Sequence, residues 1–345
     1  MKGLLGGPAA IKLSSPTPKE TDLKTSPLAR LLMAAASLVV TSHAAHAQPW
    51  PAKPIRLVVP YAAGGPADVI ARLVAKPAGT NLGQTIIVDN KGGAGGTIGV
   101  DAALKSPPDG YTFALVAQGP LAGMPNLMKV PYALSDVQFL TLVARGPAVI
   151  VVSKDVPANS LTEFIKLAKA SPGRFNYGSA GPGTTPHIGA ELLKQEAGIE
   201  LTHVPYKGAA PAVTALLGGE IQVAMVDLLN VLPHVAGGKV KVLAVAGPSR
   251  APQLPDVPTT KEAGLAAVVM DTEYGVIAPP GVPAEVQKKF RDAVVAALQS
   301  QELKDQLLKQ GVVPLTSTPQ EYKAQMTAES DKWKRVITKG KITIE

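Results

Sequence analysis

The fold class follows from one stretch, Ile55 to Lys76, which is IRLVVPYAAGGPADVIARLVAK. Its opening part, IRLVVPY, is largely apolar and β-branched, which is typical of a strand buried on both faces. A loop with two adjacent glycines follows, and Asp68 then stands in the first turn of a segment with helical spacing. The stretch therefore predicts one strand-loop-helix unit.

The same rhythm continues along the chain. Further strands are predicted in TIIVDN and YTFALVA, each before a loop rich in glycine or proline. A second set of units starts after the strand AVIVVS (Ala148 to Ser153) and includes ELTHVPYKG, IQVAMVD and VKVLAVAG. This alternation predicts an α/β protein whose sheets are mostly parallel and covered by helices.

Two helix starts carry capping residues. Ser160 and Glu163 have the spacing of a capping box, in which each side chain bonds the backbone N–H of the other residue. Near the end of the chain, Thr318, Pro319 and Glu321 fit the N-cap, first and third positions of a helix. We therefore expect helices to begin after Ser160 and after Thr318.

Length and composition describe a globular protein. The chain has 345 residues, enough for two ordinary domains, each with its own core. The formal net charge of +8 comes from scattered lysines and arginines with no interleaved aromatic residues, which argues against nucleic acid as a partner. There is no cysteine, and His187, His203 and His234 lack the spacing of a metal site, so we expect no metal and no cofactor.

Residues 1–47 have the three regions of a secretory signal peptide. Arg30 precedes the apolar run Leu31 to Val40, and AHA at Ala45 to Ala47 provides a cleavage site. The alternative, a membrane anchor, is disfavoured because a spanning helix needs ~20 apolar residues. We expect cleavage after Ala47 and export to the periplasm, while the mixed charge of the first residues leaves the start codon open.

The loop SAGPGTT, Ser179 to Thr185, stands between a predicted strand and a predicted helix. It is not the elbow of a serine hydrolase, because Tyr177 stands where G-x-S-x-G requires glycine, and it lacks the Gly-Lys-Ser/Thr ending of a phosphate loop. Backbone N–H groups and small hydroxyls at a helix start can bind an anion such as a carboxylate. The alternative is that Thr184 or Thr185 only caps the helix and the glycines only make the turn.

Two other places are candidates for ligand contact. The loop Tyr61 to Gly65 lies at the carboxyl end of a parallel strand, where open α/β sheets bind ligands, although it can also be an ordinary tight turn with Asp68 as a cap. Asp227 follows an apolar strand and either accepts a hydrogen bond from a ligand amine or hydroxyl or caps the next helix. Paired carboxylates and a base-nucleophile pair are not evident, so we do not expect an enzyme.

The ordered motifs resemble the Bug family of periplasmic solute receptors. They include WPAKPIRLVVPYAAGGPADVIARLVA, GGAGGTIGVDAALKSPPDGYT, YGSAGPGTTPHIGAELLKQEAGIELTHVPYKG and LPHVAGGKVKVLAVAGPSRAPQLPDVPTT, and the resemblance runs from about Trp50 to about Lys334. It implies a two-lobed periplasmic binding protein of the type II, Venus-flytrap class. Lobe 1 would be residues 48–145 plus 269–345, and the inserted lobe 2 would be residues 146–268.

The resemblance also implies a ligand grip by two uncharged loops, largely through backbone amides. With Gln118 and Asp227 added, the expected ligand-binding residues are Tyr61, Ala62, Ala63, Gly64, Gly65, Gln118, Ser179, Ala180, Gly183, Thr184, Thr185 and Asp227. The chain departs from the family pattern at Ala67, where Ser or Thr is common, and at Glu273, where Trp is common. Apolar positions such as Leu121 and Met124 suggest a less polar pocket, which favours an aromatic or longer carboxylate over citrate.

The implied function is that of a monomeric receptor. It would capture a small carboxylate, a dicarboxylate or an aromatic carboxylate, and deliver it to the membrane permease subunits of a tripartite tricarboxylate transporter. One alternative is a ligand-sensing partner of a receptor kinase. Another alternative is a serine hydrolase acting through Ser179.

Overall fold

The structure is a computed structural model that describes residues 50–344. The expected signal peptide, residues 1–47, lies outside the described residues. The strands of the described residues form one curled, mixed sheet. Its main path is β2-β1-β3-β9-β4-β7-β5-β6, with β8 and β10 paired to β4. The predicted α/β class is confirmed.

The first flank of the sheet is parallel. Its strands are β1 (Ile55–Val59), β2 (Ile86–Asn90) and β3 (Thr112–Ala117), and they alternate with helices α1 (Pro66–Leu82) and α2 (Thr97–Leu104). Both β2 and β3 run parallel to β1. These are the strand-loop-helix units that the apolar runs predict.

The second flank repeats this arrangement. It contains β5 (Asn176–Ser179), β6 (Thr202–Pro205), β7 (Val223–Asp227) and β8 (Val240–Val245), together with α3 (Leu161–Ala170), α4 (Thr185–Ala197), α5 (Ala209–Leu217) and α6 (Leu228–Val235). Here β6 and β7 run parallel to β5. After β9 (Asp271–Ala278), the chain ends with α7 (Ala284–Gln299), α8 (Gln301–Lys309), β10 (Val313–Pro314) and α9 (Pro319–Gly340).

The centre of the sheet is antiparallel, which corrects the expectation of mostly parallel sheets. The strand β4 (Gln138–Ser153) is 16 residues long, whereas the sequence indicates only its end from Ala148. Up to Pro147 it pairs antiparallel with β9, and from Ala148 onward it pairs antiparallel with β7 and β8. The early part escapes the sequence pattern because Gly146 and Pro147 are residues that ordinarily interrupt strands.

The two predicted helix caps differ in detail. At α9 the capping box is complete, since Thr318 Oγ1 accepts from the Glu321 N–H and the Glu321 carboxylate accepts from the Thr318 N–H. At α3 the Ser160 hydroxyl accepts from the Glu163 N–H at 3.2 Å. The Glu163 carboxylate, however, bonds the N–H of Asn159 at 2.8 Å, so the box expected there is only half formed.

Each flank has its own apolar core, and α9 packs on both. In the first flank Phe113 stacks on Phe290 with ring centres 3.7 Å apart. Tyr322, near the start of α9, is buried on that side, whereas Trp333 and Ile337, near its end, belong to the core of the second flank. The last helix therefore bridges the two halves of the sheet.

Two kinds of feature are absent from residues 50–344. None of these helices combines the length and the apolar character that crossing a membrane requires. In this same part of the chain, no group of three or more His, Asp or Glu side chains is arranged to hold a metal ion.

Candidate ligand-binding cleft

The loops at the carboxyl ends of the two parallel flanks face each other. The N–H of Ala62, after β1, donates a 3.2 Å hydrogen bond to the carbonyl of Lys207, after β6. Gly95, after β2, lies against the carbonyl of Pro182, after β5, so closely that a Cβ atom at Gly95 would collide with it. The two halves of the sheet therefore touch along a cleft formed by loops.

A small cavity of about 20 Å³ lies in this cleft, within about 330 Å³ of empty space that includes open solvent. It is lined by residues from both flanks and from β9, namely Tyr61, Pro66, Ala67, Ala117, Ala180, Thr184, Thr185, Pro186, Ala209, Asp227, Thr272 and Tyr274. The lining contains no lysine and no arginine.

Four buried polar atoms on this lining have no hydrogen-bond partner among residues 50–344. They are Tyr61 Oη, Thr185 Oγ1, Asp227 Oδ1 and Thr272 Oγ1. Each side chain is more than nine-tenths buried, with at most 7% of its residue surface exposed. Because an unpaired buried polar group costs ~1–3 kcal/mol, their convergence makes this cavity the candidate ligand-binding site.

Asp227 is the one carboxylate of the lining. Its Oδ2 accepts a 2.6 Å hydrogen bond from the hydroxyl of Tyr274. Burial raises the pKa of Asp227 to about 6, a rise that the neighbouring hydroxyls of Thr272 and Tyr274 oppose and the charge of Asp271 increases. Asp227 occupies the N-cap position of α6, but its side chain makes no capping hydrogen bond, so the interpretation of Asp227 as a mere cap is wrong.

The two tyrosines of the lining are hydrogen-bond donors at neutral pH. Burial raises the pKa of Tyr61 far above its usual value, and the charge of Asp227 adds to this. Burial and the charge of Asp227 have the same effect on the pKa of Tyr274. Both phenols therefore keep their protons.

The loop Ser179–Thr185 depends on glycine for its backbone conformation. Gly181 and Gly183 have φ angles of +120° and +65°, which other residues rarely adopt. The Thr184 hydroxyl donates to the Gly181 carbonyl at 2.7 Å instead of capping α4. Since Thr185 Oγ1 has no partner either, the alternative that these threonines only cap the helix is wrong.

Two histidines hold this loop from behind. His187 Nδ1 accepts from the N–H of Gly183 at 3.2 Å, and His203 Nε2 lies 2.7 Å from Ser179 Oγ. Burial lowers the pKa of His187 to about 4, and the charge of Lys194 contributes. Burial and the neighbouring His187 lower the pKa of His203 to about 3. Both rings are therefore neutral at pH 7, which allows His187 to accept the Gly183 N–H.

The Ser179–His203 contact corrects the expectation that the chain has no base-nucleophile pair. The sequence does not reveal it because 24 positions separate the two residues. Ser179 is fully buried, does not line the cavity, and its Oγ also accepts from the Gly181 N–H. This arrangement orients the loop and does not present a nucleophile to the cavity.

In the first loop, Tyr61 to Gly65, the N–H groups of Ala62 and Gly64 are engaged by protein atoms. The Gly64 N–H donates to Asp68 Oδ2 at 2.9 Å, and Arg72 bonds the same carboxylate. Burial by itself raises the pKa of Asp68, but the hydrogen bonds from Arg72 and Gly64 hold it below its ordinary value. Asp68 therefore acts as the expected cap of this turn.

The structure brings part of the predicted site together. Of the twelve predicted residues, those on the cavity lining are Tyr61, Ala180, Thr184, Thr185 and Asp227, and those away from it are Ala62, Ala63, Gly64, Gly65, Gln118, Ser179 and Gly183. The side chain of Gln118 bonds the backbone of Asp271 and Glu273.

Sequence reasoning missed Thr272 and Tyr274, which share one face of β9. The available signal was their two-residue spacing in a strand, but only the pairing of β9 shows which face meets the cavity.

Comparisons with known proteins agree with this geometry. The chain is 34% identical to protein BugT of Bordetella pertussis over 294 residues, 84% of this chain and 90% of that protein. It resembles the solved structure of the periplasmic binding protein BugD, with 32% identity, a TM-score of 0.83 and coverage of 86% of this chain and 100% of that one. The structure of R. palustris Rpa4515 with adipate has 32% identity, a TM-score of 0.82 and coverage of 85% and 99%.

These likenesses confirm the predicted two-lobed periplasmic binding protein fold. They also account for the curled mixed sheet and for the cleft between its flanks. Residues 70–342 match the tripartite tricarboxylate transporter family receptor, TctC. The chain therefore belongs to the TctC family of receptors, and the predicted resemblance is confirmed.

Proposed function

We propose that this protein captures a small carboxylate between its two lobes and delivers it to the permease subunits of a tripartite transporter. The observation that carries the proposal is the convergence of four unpartnered, buried polar atoms on one cavity of the cleft. Three of these atoms belong to the hydroxyls of Tyr61, Thr185 and Thr272, which can donate to a carboxylate. The adipate bound to the R. palustris relative is a carboxylate as well.

The same proposal assigns the lobes and the compartment. Lobe 1 is residues 48–145 plus 269–345, and lobe 2 is residues 146–268, since β4 changes its pairing partners between Pro147 and Ala148. The lobes close on the ligand, which favours the closed state by its contacts with both sides. Mature protein that begins at Gln48 in the periplasmic fraction is the expected product of signal cleavage.

A thermal-shift screen tests carboxylate binding. A ligand at a hundredfold excess over its dissociation constant stabilises the folded state by about 2.7 kcal/mol. At roughly 2–4 °C per kcal/mol, the shift is easily measured. Carboxylates should raise the melting temperature while their methyl esters do not. Equal shifts in melting temperature from the acids and their esters would contradict the proposal.

A matched pair of variants tests the site. Thr185→Val removes an unpartnered hydroxyl from the cavity with little change in shape, and Thr214→Val removes an exposed hydroxyl that bonds the Ala210 carbonyl. The first variant should lose about tenfold to a hundredfold in affinity for the carboxylate found in the screen, which corresponds to ~1.5–3 kcal/mol. The second should bind like the parent in calorimetric titration. Equal affinities would place the ligand elsewhere.

A further inference from the structure

Gln118 bonds β9 just beyond the end of the pairing between β3 and β9. The last residue of β3, Ala117, pairs with Tyr274, and at Gln118 the backbone turns into a helical conformation with φ −63° and ψ −26°. The side-chain amide of Gln118 donates to the carbonyl of Asp271 and accepts from the N–H of Glu273, each at 3.1 Å. The side chain therefore continues the hydrogen bonding that the backbone of β3 no longer provides.

These two hydrogen bonds flank Thr272. Because side chains alternate between the faces of a strand, Thr272 and Tyr274 share the face that lines the cavity. We propose that Gln118 is a positioning residue of the ligand-binding cleft, which fixes β9 so that Thr272 and Tyr274 face the cavity. The inference rests on the proposed function and goes beyond it, since Gln118 would act on the ligand through β9 and not by direct contact.

The neighbouring strand β4 supports β9 poorly at this point. Gly146 pairs with Thr272, and Pro147 pairs with Asp271. Glycine has no side chain to pack against its partner, and proline has no N–H to donate to a neighbouring strand. The amide of Gln118 therefore supplies hydrogen bonds where β4 has two residues that stabilise a sheet weakly.

The Gln118 amide is buried and fully engaged with the backbone. The residue is 2% exposed, and both the oxygen and the nitrogen of its side chain bond backbone groups of β9. Without the amide, the carbonyl of Asp271 and the N–H of Glu273 would lose these partners. Because an unpaired buried polar group is costly, the backbone should then shift toward new partners, and Thr272 would move with it.

The segment around Gln118 is also fixed against the second flank. Gly119, directly after Gln118, packs so closely on the loop Ser179–Thr185 that an added Cβ atom would lie 2.9 Å from Cα of Thr184. Both this loop and β9 contribute residues to the cavity lining. Gln118 therefore links two elements that form the cavity.

A double-mutant cycle tests the positioning without any ligand. The hydroxyl of Tyr274 reaches Asp227 only when β9 is correctly placed. In urea unfolding of the mature protein at pH 8, Tyr274→Phe should lower the midpoint of the parent. In the Gln118→Met background it should lower the midpoint by less than about half as much, because the hydroxyl is already displaced. Additive shifts would overturn the proposal.

Gln222→Met is the matched control background. The Gln222 side chain also bridges backbone groups, since it accepts from the N–H of Asn176 at 3.1 Å and donates to the carbonyl of Gly219 at 3.3 Å. Gln222 and Asn176 lie at the amino ends of β7 and β5, opposite the cleft. Tyr274→Phe should therefore have its full effect in this background. An equally reduced effect in both backgrounds would indicate general loosening of the protein and would overturn the proposal.

Gln118→Asn is a second variant in case Gln118→Met does not fold. Its amide is one methylene shorter and cannot reach both backbone groups of β9. The same reduced effect of Tyr274→Phe is expected in the Gln118→Asn background, and additive shifts there would overturn the proposal as well.

Binding measurements test the consequence for the ligand. Calorimetric titration would use whichever of adipate, malate, succinate and benzoate raises the melting temperature of the parent most. Gln118→Met should lose about tenfold or more in affinity, whereas Gln222→Met should bind within about twofold of the parent. Equal affinities of the two variants would overturn the role of Gln118 in binding. Failure of the parent to bind any carboxylate of the thermal-shift screen would overturn the proposed function and this binding role with it, while the urea cycle separately decides whether Gln118 positions β9.

Discussion

The hydroxyl of Tyr274 donates a 2.6 Å hydrogen bond to Oδ2 of Asp227, and both residues are buried. Tyr274 lies on β9, which pairs with β3 in the first flank, whereas Asp227 ends β7 in the second flank. The bond therefore joins the two halves of the sheet at the cavity. The other carboxylate oxygen of Asp227, Oδ1, has no hydrogen-bond partner among residues 50–344.

The stability of the protein without ligand should depend on the charge of Asp227. Its pKa is raised from 3.8 to about 6, mainly by burial. The hydroxyls of Thr272 and Tyr274 lower the pKa, and the charge of Asp271 raises it. Because ionisation is harder in the folded state, the stabilising effect of the neutral form is complete below pH 3.8 and is lost as the pH rises through about 6. Between these two pH values the free energy of unfolding should fall by on the order of 3 kcal/mol.

Asp227→Asn should remove this pH dependence, because an amide does not ionise. Urea unfolding at several pH values between 4 and 8 should show that the variant gains stability relative to the parent as the pH rises, by about 3 kcal/mol in total. A constant difference between the two proteins would mean that Asp227 is ionised throughout this range.

Tyr274→Phe removes the donor to Asp227. At pH 8 the buried carboxylate then loses a charge-assisted hydrogen bond, and the free energy of unfolding should fall by ~1.5–3 kcal/mol. At pH 4 the carboxyl is largely protonated and the loss should be smaller. Tyr132→Phe is the control, since its hydroxyl donates to the neutral carbonyl of Pro120 and its loss should cost the same at both pH values. Identical pH behaviour of the two variants would contradict the link between Tyr274 and Asp227.

Gly183→Ala should weaken ligand binding as well as lower stability. Gly183 has a φ of +65°, and a Cβ atom there would overlap the buried side chain of Met124 on the other side of the cleft. Gly219→Ala is the matched control, because Gly219 has a φ of +78° and nothing within 4 Å of an added Cβ.

Both substitutions carry the cost of positive φ, ~1–2 kcal/mol in the free energy of unfolding. We expect only Gly183→Ala to weaken binding, by about tenfold or more in calorimetric titration, since ~1.4 kcal/mol of lost contact corresponds to that factor. Equal affinities of the two variants would show that the contact with Met124 does not matter for binding.

Gly92→Ala tests whether contact between the two flanks supports ligand binding. An added Cβ would lie 3.1 Å from both the Ala62 nitrogen and the Lys207 oxygen, the two atoms of the hydrogen bond across the cleft. Affinity should fall about threefold to tenfold, because this bond is worth roughly 0.5–1.5 kcal/mol. Gly237→Ala, where the atom nearest to an added Cβ lies 3.8 Å away, should bind normally. Binding by Gly92→Ala at the parental level would argue that closure does not need this contact.

The sequence alone determined the elements whose signals are local. The apolar runs predicted β1 and β3, which are buried on both faces, and also β2, which is a partly exposed edge strand. Thr318 and Glu321 predicted the start of α9 because a capping box involves only neighbouring residues. The loop Ser179–Thr185 could also be recognised locally, because its small residues stand between a predicted strand and a predicted helix.

Only the tertiary structure decided which of these residues form the cavity. Tyr61, Thr185, Asp227 and Thr272 lie far apart in the chain, and strand pairing around β4 and β9 brings them together. The same pairing turns Tyr274 toward Asp227 and places His203 behind Ser179. Burial and hydrogen bonding between distant residues depend on the packing of the whole sheet, and no local pattern in the sequence encodes them.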